Sequence, residues 1–315
     1  RSVSYRTSKL PVLWSEALVV PVYKKNNPYS VENYRPISLC CVTCKLMESI
    51  IDSQILKHLS SNNIISEKQH GFSRGKSCQT QLLQCKTSWL QIMDKKEFFD
   101  IVYIDFSKAF DSVVHNKLIL KLRNVGIDGF LLSWISAFLK GRTQRVKINT
   151  SCSNPLNVNS GVPQGSVLGP TLFNIFINDL VEQILYSEIY LFADDVKIFS
   201  KNSVQLQHDL KAFIEWANIW QLEISFDKCC VLHLGNNNPM IDYYFNDVVL
   251  RTEHIVKDLG IQVSDKLSST PHCNYLFTKC SRISTLISKS FLSKDIDLML
   301  KAYKVYVLPI LDYCS

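Results

Sequence analysis

The 315-residue sequence contains no run of about 20 apolar residues, so it offers no helix to span a bilayer. It contains no framework of regularly spaced cysteines. Its 11 cysteines are odd in number and scattered, which fits reduced thiols in an intracellular chain and not a disulfide scaffold. Cys41-Val-Thr-Cys44 is the one CxxC, and no second Cys or His pair stands at zinc spacing. A four-ligand structural zinc site is therefore not expected, and these thiols read as small apolar side chains. Internal repeats and low-complexity linkers are also lacking. No charged-then-apolar leader follows Arg1, and Ser315 falls inside an apolar helical pattern, so a piece of a longer polypeptide is expected.

What is present is ordinary globular composition, 46% hydrophobic and 20% charged, in a length that gives about two domains. Thirty-five Lys and Arg against 28 Asp and Glu leave +7, a moderate basic excess compatible with a polyanionic partner. Ala17–Val22 reads as a buried strand closed by Lys24 and Lys25, and a polar, turn-rich stretch follows over 26–35. Leu46, Ile50 and Ile51 at helical spacing predict a helix over about 43–60, and another is expected over about 77–94. Ile101–Ile104 is a β-branched strand that delivers Asp105. Helices are expected over 115–124 and 129–140, and strands over 145–149 and 156–159. A helix over 167–185 opens after a Gly/Pro-rich turn. Residues 188–199 alternate as a β-hairpin with Asp194 and Asp195 at its tip. A helix over 204–221, a strand over 230–234, a hairpin turning at Asn246-Asp247, a strand over 259–263 and helices over 272–292 and 295–308 complete the reading. Strands and helices mix without βαβ alternation, so the class is α+β, with a soft boundary near 266.

The chemistry lies in carboxylates. Asp105 ends one apolar strand and Asp194-Asp195 caps an apolar hairpin, so the three can meet only in the fold. Such groups are costly on greasy elements unless neutralised, and a divalent ion with hard oxygen ligands does this well. Two ions about 4 Å apart would stabilise both oxygens of a phosphoryl displacement. A solvated turn is the plain alternative for Asp194-Asp195. Ser160–Pro170 places glycines at a helix start, where backbone can approach a phosphate-rich ligand; a simple tight turn explains it equally. Lys228, and the cluster Lys24, Lys25 and Arg35, read either as anion-binding groups or as solvated surface cations.

Six segments then stand in an order that resembles one family. Asn33-Tyr34-Arg35-Pro36-Ile37-Ser38-Leu39, Gln69-His70-Gly71-Phe72-Ser73-Arg74-Gly75-Lys76-Ser77, Tyr103-Ile104-Asp105-Phe106-Ser107-Lys108-Ala109-Phe110-Asp111, Gly161-Val162-Pro163-Gln164-Gly165-Ser166, Phe192-Ala193-Asp194-Asp195 and Leu259-Gly260-Ile261 resemble the motifs of non-LTR (LINE-type) retrotransposon reverse transcriptases. The resemblance covers about residues 18 to 263. It implies a right-hand polymerase fold: fingers over 1–100, palm with an antiparallel sheet over 101–265 (fingers interleaving at 115–160), and the start of a truncated helical thumb over 266–315. It implies RNA-directed DNA synthesis from a primer 3′-hydroxyl with dNTPs on an RNA template. Two Mg²⁺ ions, with Mn²⁺ able to substitute, would be held by Asp105, Asp194, Asp195 and the carbonyl of Phe106. Lys228 resembles a general acid for pyrophosphate. Phe110 matches a steric gate against the 2′-hydroxyl, with a core phenylalanine as its alternative. Lys24, Arg35, Gln164 and Gly165 would bind dNTP. Arg74 and Lys76, and the primer-grip residues Leu259 and Gly260, would meet template and primer. Phe192 stands where the family often has Tyr, which keeps the ring and drops a hydroxyl. A nuclear site of action is implied by the family alone. Competing readings are an RNA-dependent RNA polymerase and a non-catalytic nucleic-acid-binding module of the same fold.

Overall fold

The computed structural model describes residues 3–24, 27–293 and 295–314. Lys25 and the terminal Arg1 and Ser315 lie outside the described residues. The site is carried by a five-stranded sheet ordered Arg251–Thr252, Cys230–Leu234, Phe99–Ile104, Asp195–Ser200, Glu188–Phe192. Its neighbours are antiparallel except the edge pair Arg251–Thr252 and Cys230–Leu234. The central strand Phe99–Ile104 is buried on both faces, and its one charged residue, Asp100, accepts hydrogen bonds from Asn238 and Tyr243 and pairs with His233. Phe99 and Ile101 join Tyr190, Phe199 and Leu232 under Cys85 and Trp89 of the helix Cys78–Asp94. Val102 and Ile104 face the larger core, built on the helices Leu168–Ile177 and Ser203–Trp220. The result is helix, sheet and helices in three layers.

A second sheet joins distant parts of the chain. Glu16–Tyr23 pairs antiparallel with Tyr34–Leu39 and parallel with Arg142–Ile148, which in turn pairs with Leu156–Val158. Residues 142–158 thus belong with the N-terminal strands. A separate hairpin, Ile255–Asp258 with Ile261–Ser264, docks on the five-stranded sheet through a buried ion pair between Lys197 and Asp258. The helices Thr270–Ser290 and Ile296–Tyr306 follow it.

Three local expectations change. The helix Val42–Ser61 forms, but Leu46 and Ile50 are exposed; its inner face is Cys44, Glu48, Ile51, Ile55 and Leu59. A charged residue on the buried face and apolar ones outside invert the simple pattern, because Glu48 has a specific partner. The expected helix over 167–185 breaks into Leu168–Ile177 and Leu180–Gln183. At the break the Asn178 side chain donates from Nδ2 to the Ile64 carbonyl (2.8 Å) and accepts on Oδ1 from the Ser66 N–H (2.9 Å). The stretch 26–39 holds a strand, Tyr34–Leu39, beyond the turn-rich part.

Candidate active site

Antiparallel register brings the carboxylates together. Ile104 pairs with Val196 across the sheet, so Asp105 and Asp195 each stand one step beyond that pair. Phe192 pairs with Asp195, which leaves Ala193-Asp194 as a two-residue tip. Ala193 is left-handed at φ 55°, a conformation that costs a residue with a Cβ about 1 kcal/mol.

The three carboxylates feel one another. Partial burial, followed by the charge of Asp105, raises the Asp194 carboxyl above its ordinary value; Arg35 and Lys228 oppose the shift. Asp195 is pushed up to about 6 by crowding of the tip, then by Asp194, Asp105 and Asp258. Asp195 keeps an exposed outer edge, so the crowding acts on its inner side. Lys228 Nζ donates to Asp105 Oδ1 at 3.1 Å, from the one-turn segment Phe226–Lys228.

Such mutual repulsion is the condition a bound cation relieves. Among the described residues, no group of three or more His, Cys, Asp or Glu side chains is arranged to hold a metal ion, and Asp105, Asp194 and Asp195 as they stand do not form one. The set is open and made of oxygens, which suits a hard cation that completes its shell with water and substrate phosphate. The Phe106 carbonyl can add to it. In the isolated bridge to Ile224, Ser107 N–H donates to the Glu223 carbonyl and Ser225 N–H to the Asp105 carbonyl. In this pattern Phe106's own carbonyl is turned away from Ile224.

The glycine-rich segment lies against the Asp105 motif and the N-terminal sheet. Gly161 N–H donates to the Val113 carbonyl and Val162 N–H to that of Phe110, both at 2.8 Å. Gln164 Nε2 donates to Asp111 Oδ1 at 2.9 Å, and the Gln164 carbonyl accepts from Ser38 N–H at 2.7 Å. At Gly165 (φ 114°) an added Cβ would meet the Ser38 carbonyl at 2.5 Å, so only glycine fits. The half-buried ring of Phe110 stacks on Phe173 (4.3 Å between centroids) and meets the edge of Phe72 at 6.2 Å.

One expectation is corrected here. The N-terminus of Leu168–Ile177 is not open to a phosphate. Oε2 of the fully buried Glu48 accepts the N–H groups of Val167 (2.7 Å) and Leu168 (3.1 Å), and Ser166 Oγ accepts that of Gly169 (2.9 Å). A carboxylate from another helix already satisfies the end.

The other predicted residues take distinct positions. Arg35 is exposed and within electrostatic reach of Asp194, and Lys24 stands likewise toward Asp111. Arg74 is exposed. Lys76 Nζ donates to the carbonyls of Glu67 (2.5 Å) and Gln69 (3.1 Å), so it staples its own loop. Leu259 and Gly260 form the tip of the hairpin 255–264, both with positive φ. Tyr313 covers this tip: its hydroxyl donates to the Leu259 carbonyl at 2.9 Å, and its ring lies where a Gly260 Cβ would go.

Two buried polar residues, Glu48 and Gln69, are not singled out by the sequence. Gln69 Oε1 accepts the N–H of Ala193 (2.9 Å) at the hairpin tip and that of Gly71 (2.8 Å). A buried polar residue on an otherwise apolar helix face is the hint that exposes Glu48; Gln69 could be noticed only as part of its motif.

Residues 22–275 match the reverse transcriptase (RNA-dependent DNA polymerase) family. The chain belongs to that family. It is 30% identical over 299 residues to the RNA-directed DNA polymerase from mobile element jockey of Drosophila melanogaster, covering 88% of this chain and 32% of that protein. It is also 30% identical over 292 residues to the probable RNA-directed DNA polymerase from transposon BS of the same organism, covering 87% of this chain and 32% of that protein. These relatives place it with the non-LTR retrotransposon branch of the family, and the chain spans about a third of their length. Among solved structures, a telomerase from Candida tropicalis superposes with a TM-score of 0.59 at 11% identity, over 97% of this chain and 53% of that one. That likeness establishes the right-hand polymerase fold expected from the motifs. Enzymes of this family generally use divalent metal ions. No helix among the described residues is long and apolar enough to cross a membrane.

Proposed function

We propose that this chain is the polymerase part of a retrotransposon protein, extending a DNA primer 3′-hydroxyl with dNTPs on an RNA template. The single observation that carries the reading is the convergence of Asp105, Asp194 and Asp195, set together by strand register so that the charge of Asp105 raises the carboxyls of the other two, inside a fold of the matching family. A purely nucleic-acid-binding module gains nothing from three crowded carboxylates beside a phosphate backbone. In this reading residues 1–100, with part of 115–160, are fingers; 101–265 are palm; 266–315 begin the thumb.

Asp105, Asp194, Asp195 and the Phe106 carbonyl would hold two Mg²⁺ ions, with Mn²⁺ as substitute. Such ions, when bound, offset the charge that develops on the attacking and leaving oxygens. The chain's own residues do the rest. Arg35 and Lys24 meet the triphosphate at the mouth, the first with a planar fork and the second as a point charge. Lys228, whose Nζ donates to Asp105, is assigned to deliver a proton to the departing pyrophosphate. The Phe110 ring, fixed by Phe173, fills the space a 2′-hydroxyl would need, which favours dNTPs over rNTPs. Gln164, oriented by Asp111, and Gly165 shape the wall beside the incoming nucleotide. Arg74, Lys76, Leu259 and Gly260 are assigned to template and primer. Most of the catalysis is positioning and charge neutralisation.

Primer extension on an RNA template tests this. Wild type should incorporate dNTPs only with Mg²⁺ or Mn²⁺ present, and Asp194→Asn should lower incorporation by about a thousandfold or more, as for loss of a principal electrostatic group. Undiminished incorporation by Asp194→Asn would refute the assigned site. A preference for rNTPs would favour an RNA polymerase.

A further inference from the structure

We propose that the side-chain carboxamide of Gln69 is a positioning group of this site, holding the Ala193-Asp194 tip in the shape that presents Asp194. The inference rests on the polymerase reading only for its kinetic consequence.

The tip needs such a group. Ala193 sits at φ 55°, and a non-glycine residue stays in that region only where its surroundings over-determine it. The loop around Gln69 supplies the determination. His70 N–H donates to the Leu191 carbonyl (2.8 Å) and Leu191 N–H to that of Lys68 (3.0 Å), so the loop adds a short parallel bridge to the hairpin's outer strand. Gly71 lies flat on the tip: an added Cβ would stand 2.3 Å from the Ala193 nitrogen. Asn174 Nδ2 anchors the far side by donating to the Gly71 carbonyl at 2.8 Å. Between these contacts Gln69 Oε1 takes both the Gly71 and the Ala193 N–H, so one oxygen ties the loop to the turn.

The other half of the amide argues for the same role. Gln69 is 1% exposed, and its Nε2 finds no acceptor. Burying an unpaired N–H is unfavourable, and a residue present only to fill space would be apolar. The acceptor oxygen is what the position requires. A carboxylate would accept the same two N–H groups but add a fourth negative charge beside Asp105, Asp194 and Asp195, whereas the amide accepts without charge.

The test compares Gln69→Met, which keeps the length and removes the acceptor, with Gln69→Glu, which keeps the acceptor. Amide hydrogen exchange is followed by mass spectrometry on metal-free protein over residues 69–73 and 190–196, with the strand Phe99–Ile104 as internal reference. Gln69→Met should speed exchange at Gly71 and Ala193 about tenfold or more relative to that strand, and Gln69→Glu, which keeps the acceptor but adds a charge, should loosen the tip clearly less than Gln69→Met. In single-nucleotide incorporation, Gln69→Met should lower kcat about a hundredfold with KM for dNTP moved less than about threefold, the scale of a small displacement at a reacting centre. Unchanged tip exchange in Gln69→Met, or equal loosening in both variants, overturns the proposal. Should Gln69→Met lose protection in the reference strand as well, Gln69→Glu decides: tip exchange slower than in Gln69→Met supports the role and tip exchange equally fast overturns it. The exchange arm needs no activity. A wild-type chain that incorporates nothing would therefore sink the polymerase reading while leaving Gln69 to be judged separately.

Discussion

Glu48 should be worth several kcal/mol to the fold although it sits far from the chemistry. Its carboxylate is fully buried on the helix Val42–Ser61 and caps the helix that begins after Gln164 and Gly165, with two N–H groups on one oxygen. Glu48→Leu removes the acceptor and leaves the Val167 and Leu168 N–H groups buried and unpaired, at about 1–3 kcal/mol each. Relief of burying a charge and the added apolar contact offset part of this, so a net loss of about 2–4 kcal/mol is expected. At roughly 2–4 °C per kcal/mol for a chain of this size, Tm should fall by about 4–16 °C. Glu48→Gln keeps one oxygen facing the helix end. It exchanges charge-assisted bonds for neutral ones and relieves the desolvation, so it should stay within about 1–2 kcal/mol of wild type. Urea unfolding read as a shift in midpoint at constant slope separates the two. Primer extension should follow the same order, because the cap fixes the segment that carries Gln164. Equal stability of the Leu and Gln variants would show that the carboxylate does not cap this helix.

Two further outcomes follow from the site. Folded Asp194 and Asp195 hold their protons more tightly than the ordinary value of 3.8, Asp195 up to about 6. Between those values the folded chain binds more protons than the unfolded one, so this pair's contribution to stability rises as pH falls through about 6 and is lost as pH rises. The urea midpoint in chelator, wild type minus Asp195→Asn, should show that slope between pH 7.5 and 5; polymerisation should run oppositely, falling below about pH 6 as the carboxylates needed for the cation are protonated. Phe110→Val should raise rNTP use relative to dNTP by roughly tenfold to a hundredfold in competition assays, the range a pocket achieves against one hydroxyl. An unchanged ratio would remove Phe110 from the gate. The same variant loses its stacking on Phe173, and about 1–2 kcal/mol of stability with it.

Strands and carboxylates were legible because their signals are local. Phe99–Ile104 and the hairpin 188–200 are short apolar runs, and a charged residue at the end of each stands out. The hairpin turning at Asn246-Asp247 was also readable, from turn chemistry. The inward face of Val42–Ser61 was not, since Leu46 and Ile50 mimic a core stripe while Glu48 occupies the real one. Nor was the pairing of Arg142–Ile148 with Glu16–Tyr23, because parallel partners have no sequence-local turn to announce them.

The sequence by itself determined which groups could do chemistry: three carboxylates, a lysine and an aromatic ring, in an order that names a family. Tertiary structure alone decided how they are held. Glu48 reaches a helix end 119 and 120 residues away, and Gln69 a turn 124 residues away. Buried donors take whichever acceptor the packing brings near, and that choice is made by the whole fold.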